Sequence, residues 1–140
     1  MENCVNWINH LLEEVNENPN EKTLDLIEHC GKGCAIRQDA VTGIKQLKET
    51  YKCKSRTEYV EFFNSLGINA IEENDGIVLK LGKTECTCPM APEVNNPALC
   101  NCTLGHEKYV WGEFFDEEIE VELVETILRG GDDCIIKIFI

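Results

Sequence analysis

The sequence lacks the features that place a protein in a membrane, in an export pathway or on nucleic acid. Its longest apolar runs cover only a few residues, far short of the ~20 that cross a bilayer. The N-terminal stretch has no basic region before its apolar residues, which is unlike a signal peptide. Basic residues are scarce, 13 against 26 acidic ones, and the net charge is −13. Because such a surface repels phosphates, we expect no nucleic-acid and no membrane partner.

The common catalytic motifs are also absent. The chain has no glycine-rich phosphate loop, no Gly-x-Ser-x-Gly nucleophile turn and no His-Glu-x-x-His zinc helix. No standard enzyme class is therefore indicated, and whether the protein is an enzyme stays open at this point.

Cysteine, by contrast, is abundant, with nine in 140 residues. The count is odd and no export signal is present, so a secreted disulfide framework explains it poorly. In a reducing cytoplasm, clustered thiols indicate metal or redox chemistry. We therefore expect a soluble cytoplasmic protein whose chemistry lies in the cysteine-rich stretch from Cys86 to Cys102.

The first half of the chain shows the periodicity of helices, with apolar residues three and four positions apart. A first helix stops near Pro19. Thr23 is placed to cap a short second helix and Gly31 to end it. A third helix follows, and Ser55 with Glu58 forms a capping box that opens a fourth.

The second half shows the alternation of strands. The pair Asp75-Gly76 between apolar runs predicts a β-hairpin. Asn101 or Thr103 could cap one more helix. The final run, 134–140, is apolar on both faces apart from one lysine, which is typical of a strand in the middle of a helix-covered sheet.

These elements predict a single α+β domain. N-terminal helices in residues 1–67 pack on a mostly antiparallel sheet in residues 68–140, and one further helix precedes the last two strands. No repeat or linker divides the chain. The apolar last strand is compatible with a homodimer, but no residue pattern decides the oligomeric state.

Two Cys-x-Cys pairs are the sharpest signal. Cys86 and Cys88 are followed, after an eleven-residue loop rich in proline, by Cys100 and Cys102. In an extended backbone, residues two apart point the same way, so each pair presents both sulfurs to one side. Four thiolates suit Zn²⁺, and the pairs predict a zinc site, with iron or an iron–sulfur cluster as the alternative metals. A reversible disulfide and unconnected free thiols are the other readings.

A second cysteine pair and the predicted last helix supply candidate pocket residues. Cys30 and Cys34 enclose two glycines that allow a tight reversal, which makes the pair either a helix end with buried thiols or one wall of a pocket. In the second reading Lys32 favours a thiolate through its charge. His106 lies one helical turn after Cys102, where it could ligate a metal or act as a general base.

Two aromatic residues follow on the same predicted helix, 103–115. Tyr109 and Trp111 are either amphipathic residues at the edge of the core or lining of a pocket. Thiols, an imidazole and free backbone N–H groups meet at the start of this helix. We therefore expect a small-molecule ligand there, with Cys30 and Cys34 on the opposite wall.

The second half has a recognisable order of elements. A helix after Cys102 contains Gly105 and Trp111. It is followed by a strand, a glycine-rich turn at residues 130–132, and Cys134 before a last apolar strand. In this order, residues 70–140 resemble the vinyl-4-reductase-like ligand-binding domain. The resemblance implies an α/β fold shared with heme-nitric-oxide-binding and Golgi-transport domains. It also implies a small-molecule sensor or an accessory protein of tetrapyrrole biosynthesis.

The same resemblance implies a metal set. Sensory members hold a metal with cysteines and a glutamate near the strand–turn–strand, and Cys134 matches the last of these cysteines. The preceding cysteine falls on Thr126, and the glutamate falls near Glu122 or Glu125. The whole chain is also similar in layout to uncharacterised bacterial proteins near the aminothiazoline-carboxylate hydrolases, through the Cys-Gly-basic-x-Cys segment that ends at Cys34.

Two function hypotheses follow. The first is a small-molecule-binding or sensing module with a cysteine-rich metal site at residues 86–102. The second is a small thiol-dependent or metal-assisted hydrolase of a small ring compound, with one of these cysteines and His106 as the base. A closed four-thiolate site is structural, whereas three ligands plus water are catalytic.

Overall fold

The computed structural model describes residues 2–81 and 93–140, and these form an α+β fold of helices and one antiparallel sheet. This confirms the predicted fold class, including the helix before the last two strands. The helices are α1 (Glu2–Glu17), α2 (Glu21–Arg37), α3 (Thr42–Tyr51), α4 (Arg56–Ser65) and α5 (Cys100–Phe115). The strands are β1 (Asn69–Glu73), β2 (Gly76–Lys80), β3 (Glu120–Glu125) and β4 (Ile135–Phe139).

The sheet has the strand order β1-β2-β4-β3, with every neighbouring pair antiparallel. Glu73 pairs with Gly76 across the predicted hairpin turn, and β4 occupies the predicted interior position. Only one face of β4 is fully covered, because Ile136 and Ile138 are buried while their neighbours are half-buried. On the other face, Lys137 forms 2.6 Å ion pairs with two carboxylates of the hairpin turn.

The covered face of the sheet packs on α4 and α5. Phe63 from α4 and Phe114 from α5 are almost fully buried there, with ring centroids 5.7 Å apart. The start of α4 agrees with the predicted cap, since the Ser55 hydroxyl accepts a 3.2 Å hydrogen bond from the Glu58 backbone N–H. These contacts join the two halves of the chain in one core.

The predicted end of α2 at Gly31 is wrong. The helix begins after Asn20, whose side chain accepts a 2.9 Å hydrogen bond from the Lys22 backbone N–H, and it continues through Gly31 and Gly33 to Arg37. A glycine after an apolar stripe is a common helix end. Here the glycine instead serves a contact with another helix.

The α2 and α5 backbones touch at two glycines. A Cβ atom added to Gly31 would collide with the carbonyl oxygen of Cys102 and would lie 2.9 Å from the backbone nitrogen of His106. A Cβ atom added to Gly105 would overlap the backbone of Glu28. Because glycine has no side chain, it lets two helices approach until their backbones meet.

The two helices run in the same direction. Near their starts, Ile27 of α2 and Cys102 of α5 pack in one apolar cluster around Leu99. Further along, Ala35 of α2 packs in another cluster with Val110 of α5. The helix α5 starts earlier than predicted, at Cys100, because a 3₁₀ turn capped by the Asn96 side chain leads directly into it.

The helix α3 is held both by Ile44, which packs against the core, and by charge. None of its own residues is fully buried. Lys45 lies 3.2 Å from a carboxylate oxygen of Glu113 on α5, and Lys48 lies 3.3 Å from Asp116 just after it. Lys48 also donates to the Phe114 backbone carbonyl, one of the groups that a helix end leaves without a partner.

The glycine contact makes a prediction with a control on the same helix. Gly31→Ala should destabilise the protein by roughly 2 kcal/mol or more, because α5 must move away from the new methyl group. Gly33→Ala should stabilise it by about 0.5–1 kcal/mol, because nothing lies within 4 Å of the added Cβ and alanine favours a helix. Urea unfolding of both variants measures the difference. Equal effects of the two substitutions would contradict the close contact.

Candidate functional site

The contact at Gly31 and Gly105 divides the helix pair into two flanks. Residues three positions either side of a helical residue are rotated about 60° in opposite directions. Glu28 and Cys34 therefore lie on opposite sides of Gly31, and Lys108 and Cys102 lie on opposite sides of Gly105. A 3.1 Å ion pair between Lys108 and Glu28 shows which sides face each other.

We call these surfaces the charged flank and the thiol flank. The charged flank contains Glu28, Lys32 and Lys108. The thiol flank contains Cys30, Cys34, Cys102 and His106. Cysteines of both helices therefore lie on the thiol flank, whereas the cavity lies on the charged flank. The predicted ligand site between the start of α5 and Cys30 and Cys34 stays a prediction.

The charged flank contains a cavity of about 640 Å³ between α2 and the second half of α5. Gly105 and Gly112 contribute bare backbone to its lining, and Tyr109 contributes an aromatic ring. The ammonium of Lys32 lies 6.0 Å from the centroid of that ring. The cavity therefore has an aromatic surface with a cation beside it.

Several charges around this cavity are already neutralised. Glu28 is paired with Lys108, and the α3 lysines reach Glu113 and Asp116 at the far end. Exposed pairs of this kind contribute at most about 1 kcal/mol each to stability. They leave little net charge on the middle of the lining.

Three other charges have no such partner. Within residues 2–81 and 93–140, no ion pair involves Lys32, Glu117 or Glu118. All three are exposed and line the cavity. The cavity thus offers one uncompensated positive group on α2 and uncompensated negative groups after α5.

The predicted zinc ligands are placed differently from one another. Cys86 and Cys88 lie outside the described residues. Cys100 and Cys102 are both in α5, where residues two apart point about 160° apart, so the assumption of an extended backbone is wrong for this pair. Cys100 is buried, with its sulfur 3.2 Å from the Thr126 hydroxyl oxygen. Cys102 instead packs in the apolar cluster between α1, α2 and α5.

No three His, Cys, Asp or Glu side chains of the described residues converge to hold a metal ion. This statement covers the ligands that the vinyl-4-reductase resemblance implies at Cys134 and near Glu122 or Glu125. The position of the missing family cysteine, Thr126, is buried against Cys100. The four-cysteine zinc site, with two ligands outside the described residues, stays a prediction.

Cys30 and Cys34 are neither in a reversal nor buried. Both lie in the continuous helix α2, one turn apart, and both are exposed. The expected influence of Lys32 on these thiols does not agree with its position, because its ammonium lies over Tyr109 on the charged flank. The pair is therefore an open dithiol on a helix surface.

The candidate residues of α5 separate into core and surface. Trp111 is buried in the core, and its indole N–H donates a 2.9 Å hydrogen bond to a carboxylate oxygen of Glu107. The other oxygen of Glu107 lies 3.6 Å from Nδ1 of His106. Tyr109 lines the cavity, but Cys102 and His106 do not. The hydrolase with His106 as base stays a prediction.

Sequence reasoning missed most of the charged flank. Gly105 and Gly112 are seven residues apart, so they share one face of α5, and Tyr109 lies between them on that face. A face of glycine around an aromatic residue was the available signal for a close helix contact with a groove beside it. The charged residues of α2 could not be assigned to this surface from the sequence, because the assignment requires knowing that α2 continues past Gly31.

The comparison with known families gives one match. The model described as "Family of unknown function (DUF6144)" matches residues 1–140. The chain belongs to this family. No curated protein matches the chain.

Within the described ranges, no helix is both long and apolar enough to cross a membrane.

The placement of the thiols predicts an order of reactivity. Cys4, Cys30 and Cys34 should be alkylated first, because all three are exposed. Cys53 should react more slowly at about pH 8, because burial and the nearby Glu58 carboxylate raise the pKa of its thiol. Cys100 should react only after unfolding. Peptide mass spectrometry after timed iodoacetamide treatment gives the order, and early labelling of Cys100 would contradict the buried position.

Proposed function

We propose that this protein is a small-molecule-binding module whose ligand occupies the cavity on the charged flank. The volume of that cavity, about 640 Å³, is the observation that carries the proposal. Small-molecule sites have volumes of roughly 300–1,000 Å³ and combine an apolar surface with a few placed polar groups. Tyr109 provides the first, and the unpaired charges around it provide the second.

The charges favour a ligand with groups of both signs. Lys32 is available to a carboxylate or another anionic group, and Glu117 and Glu118 are available to an ammonium or another cationic group. A compound with only one charge would leave one of these sides unpaired. We therefore infer a zwitterionic ligand, such as a free amino acid or a compound of that chemistry.

The expected affinity is moderate. The rim charges are exposed, so they select the signs of the ligand's charges more than they add binding energy. The Tyr109 ring gives the aromatic contact surface. Ligands with an apolar or planar body between their two charged ends should bind best.

A cytoplasmic location is part of the proposal. Within the described residues, Cys4, Cys30, Cys34, Cys53, Cys100 and Cys134 are free thiols. Thiols that are exposed and unpaired agree with a reducing compartment. The acidic composition supports a small ligand over nucleic acid as the partner, as its net charge of −13 predicts.

Nuclear magnetic resonance tests the ligand class directly. We would titrate ¹⁵N-labelled protein with free amino acids, and with amines and carboxylic acids that match them in their apolar part. We expect the zwitterions to shift the backbone amides of Gly105, Tyr109 and Gly112 at lower concentration than either matched compound. Shifts confined to other parts of the chain, or none with any compound, would contradict the proposed site.

Three variants test the charges. Lys32→Met should weaken zwitterion binding by roughly two- to fivefold, because an exposed ammonium–anion pair contributes at most about 1 kcal/mol. Glu117→Gln should weaken the same compounds through their cationic end. Lys22→Met is the matched control, because Lys22 is an exposed lysine of α2 that does not line the cavity. A loss of binding in the control as large as in Lys32→Met would show only a general charge effect.

A further inference from the structure

The thiol flank contains two sulfurs that the ligand cavity does not use. Cys30 and Cys34 are four positions apart on α2, so they lie on one face, with Cβ atoms about 5–6 Å apart. Both side chains are exposed, and both thiols are free. Neither contributes to a core cluster. The pair therefore has no visible role in folding.

The helix makes this pair unsuitable for a disulfide. A disulfide needs Cβ atoms about 3.5–4.5 Å apart, which is closer than one helical turn places them. Forming the bond would require α2 to distort at this turn. The same turn is held by the contact of Gly31 with the Cys102 carbonyl, so the helix has little freedom to distort.

The spacing suits a metal ion instead. A tetrahedral ion with metal–sulfur distances of about 2.3 Å holds two sulfurs about 3.8 Å apart. Side chains whose Cβ atoms lie about 5–6 Å apart on a helix can reach this separation by rotating χ1 toward each other. The helix thus holds the two thiols at a spacing at which both can bind one metal ion.

The second helix adds one compatible donor on the thiol flank. His106 of α5 lies there, whereas Cys102 packs in the apolar cluster between α1, α2 and α5. The Gly31 contact brings the two helix backbones together beside Cys30 and Cys34, because the Cβ added to Gly31 would lie 2.9 Å from the backbone nitrogen of His106. Among the described residues, no third donor converges on Cys30 and Cys34. These two thiols are therefore the ligands that the helix already positions.

We propose that Cys30 and Cys34 are two thiolate ligands of a site for a thiophilic divalent cation of the zinc class. Each thiol releases its proton to solvent when the ion binds. This metal site is independent of the ligand cavity, since it lies on the other side of the helix pair. It also differs from a site formed by both Cys-x-Cys pairs, because its two ligands come from α2.

Metal analysis of the full chain tests this. Protein would be purified without chelator, dialysed and analysed for zinc by emission spectrometry, and then reloaded with Co²⁺ or Cd²⁺ to detect thiolate charge-transfer bands. We expect about one equivalent per chain in the wild type. Cys30→Ser and Cys34→Ser should each lose most of the metal and reduce the charge-transfer absorbance, while their far-ultraviolet circular dichroism stays that of the wild type.

Two cysteine variants serve as controls. Cys53→Ser, in the connection between α3 and α4, and Cys100→Ser, in the core, should keep the metal. Metal retained in Cys30→Ser and Cys34→Ser, metal lost equally in all four variants, or no metal in the wild type would each overturn the proposal. Lys32→Met should keep the metal and lose only zwitterion binding, which separates a failure of this site from a failure of the ligand cavity.

Discussion

The contact of α2 with α5 through bare backbone determines where every other part of the structure lies. With Gly31 against a carbonyl of α5 and Gly105 against the backbone of Glu28, the two helices lie side by side in the same direction. The opposite side of α5 then places Trp111 and Phe114 on the sheet. One helix thus joins α2 to the sheet, and it is fixed on both sides by contacts that leave no space for a larger residue.

This arrangement also separates two kinds of chemistry. Residues of α2 on either side of its contact with α5 face opposite surfaces. Lys32 and Cys34 therefore lie on different flanks, although they are only two positions apart. Charged groups collect around the aromatic ring of Tyr109, and sulfur atoms collect on the other flank. Neither surface needs the residues of the other, so the proposed ligand site and the proposed metal site can change independently.

Local signals predicted what depends on neighbours in sequence. The Asp75-Gly76 turn, the Ser55 cap and the interior position of the last strand were predicted, because turn chemistry, a hydroxyl cap and a two-sided apolar run act within a few residues. The end of α2 was not, because the value of Gly31 depends on a helix about seventy positions later. The helix-capping rule predicts a helix end for a glycine in that place, whether or not another helix packs against it.

The candidate site was predicted less well than the fold. The direction of Cys100 relative to Cys102 depends on whether the backbone there is extended or helical, and the capping rules put the helix start after both. Trp111 was left between core and pocket, and its burial depends on the sheet that it packs against. The charged flank was missed because its members come from two helices, α2 and α5, that only the tertiary fold brings together.

The attachment of α3 gives the molecule one element that responds to ionic strength. Its polar links to α5 are ammonium–carboxylate contacts at the surface, beside the apolar packing of Ile44. Screening by salt weakens such contacts while leaving the apolar packing of the sheet intact. High salt therefore weakens the contact of α3 with the acidic end of α5, and it leaves the packing of Ile44 against the core in place.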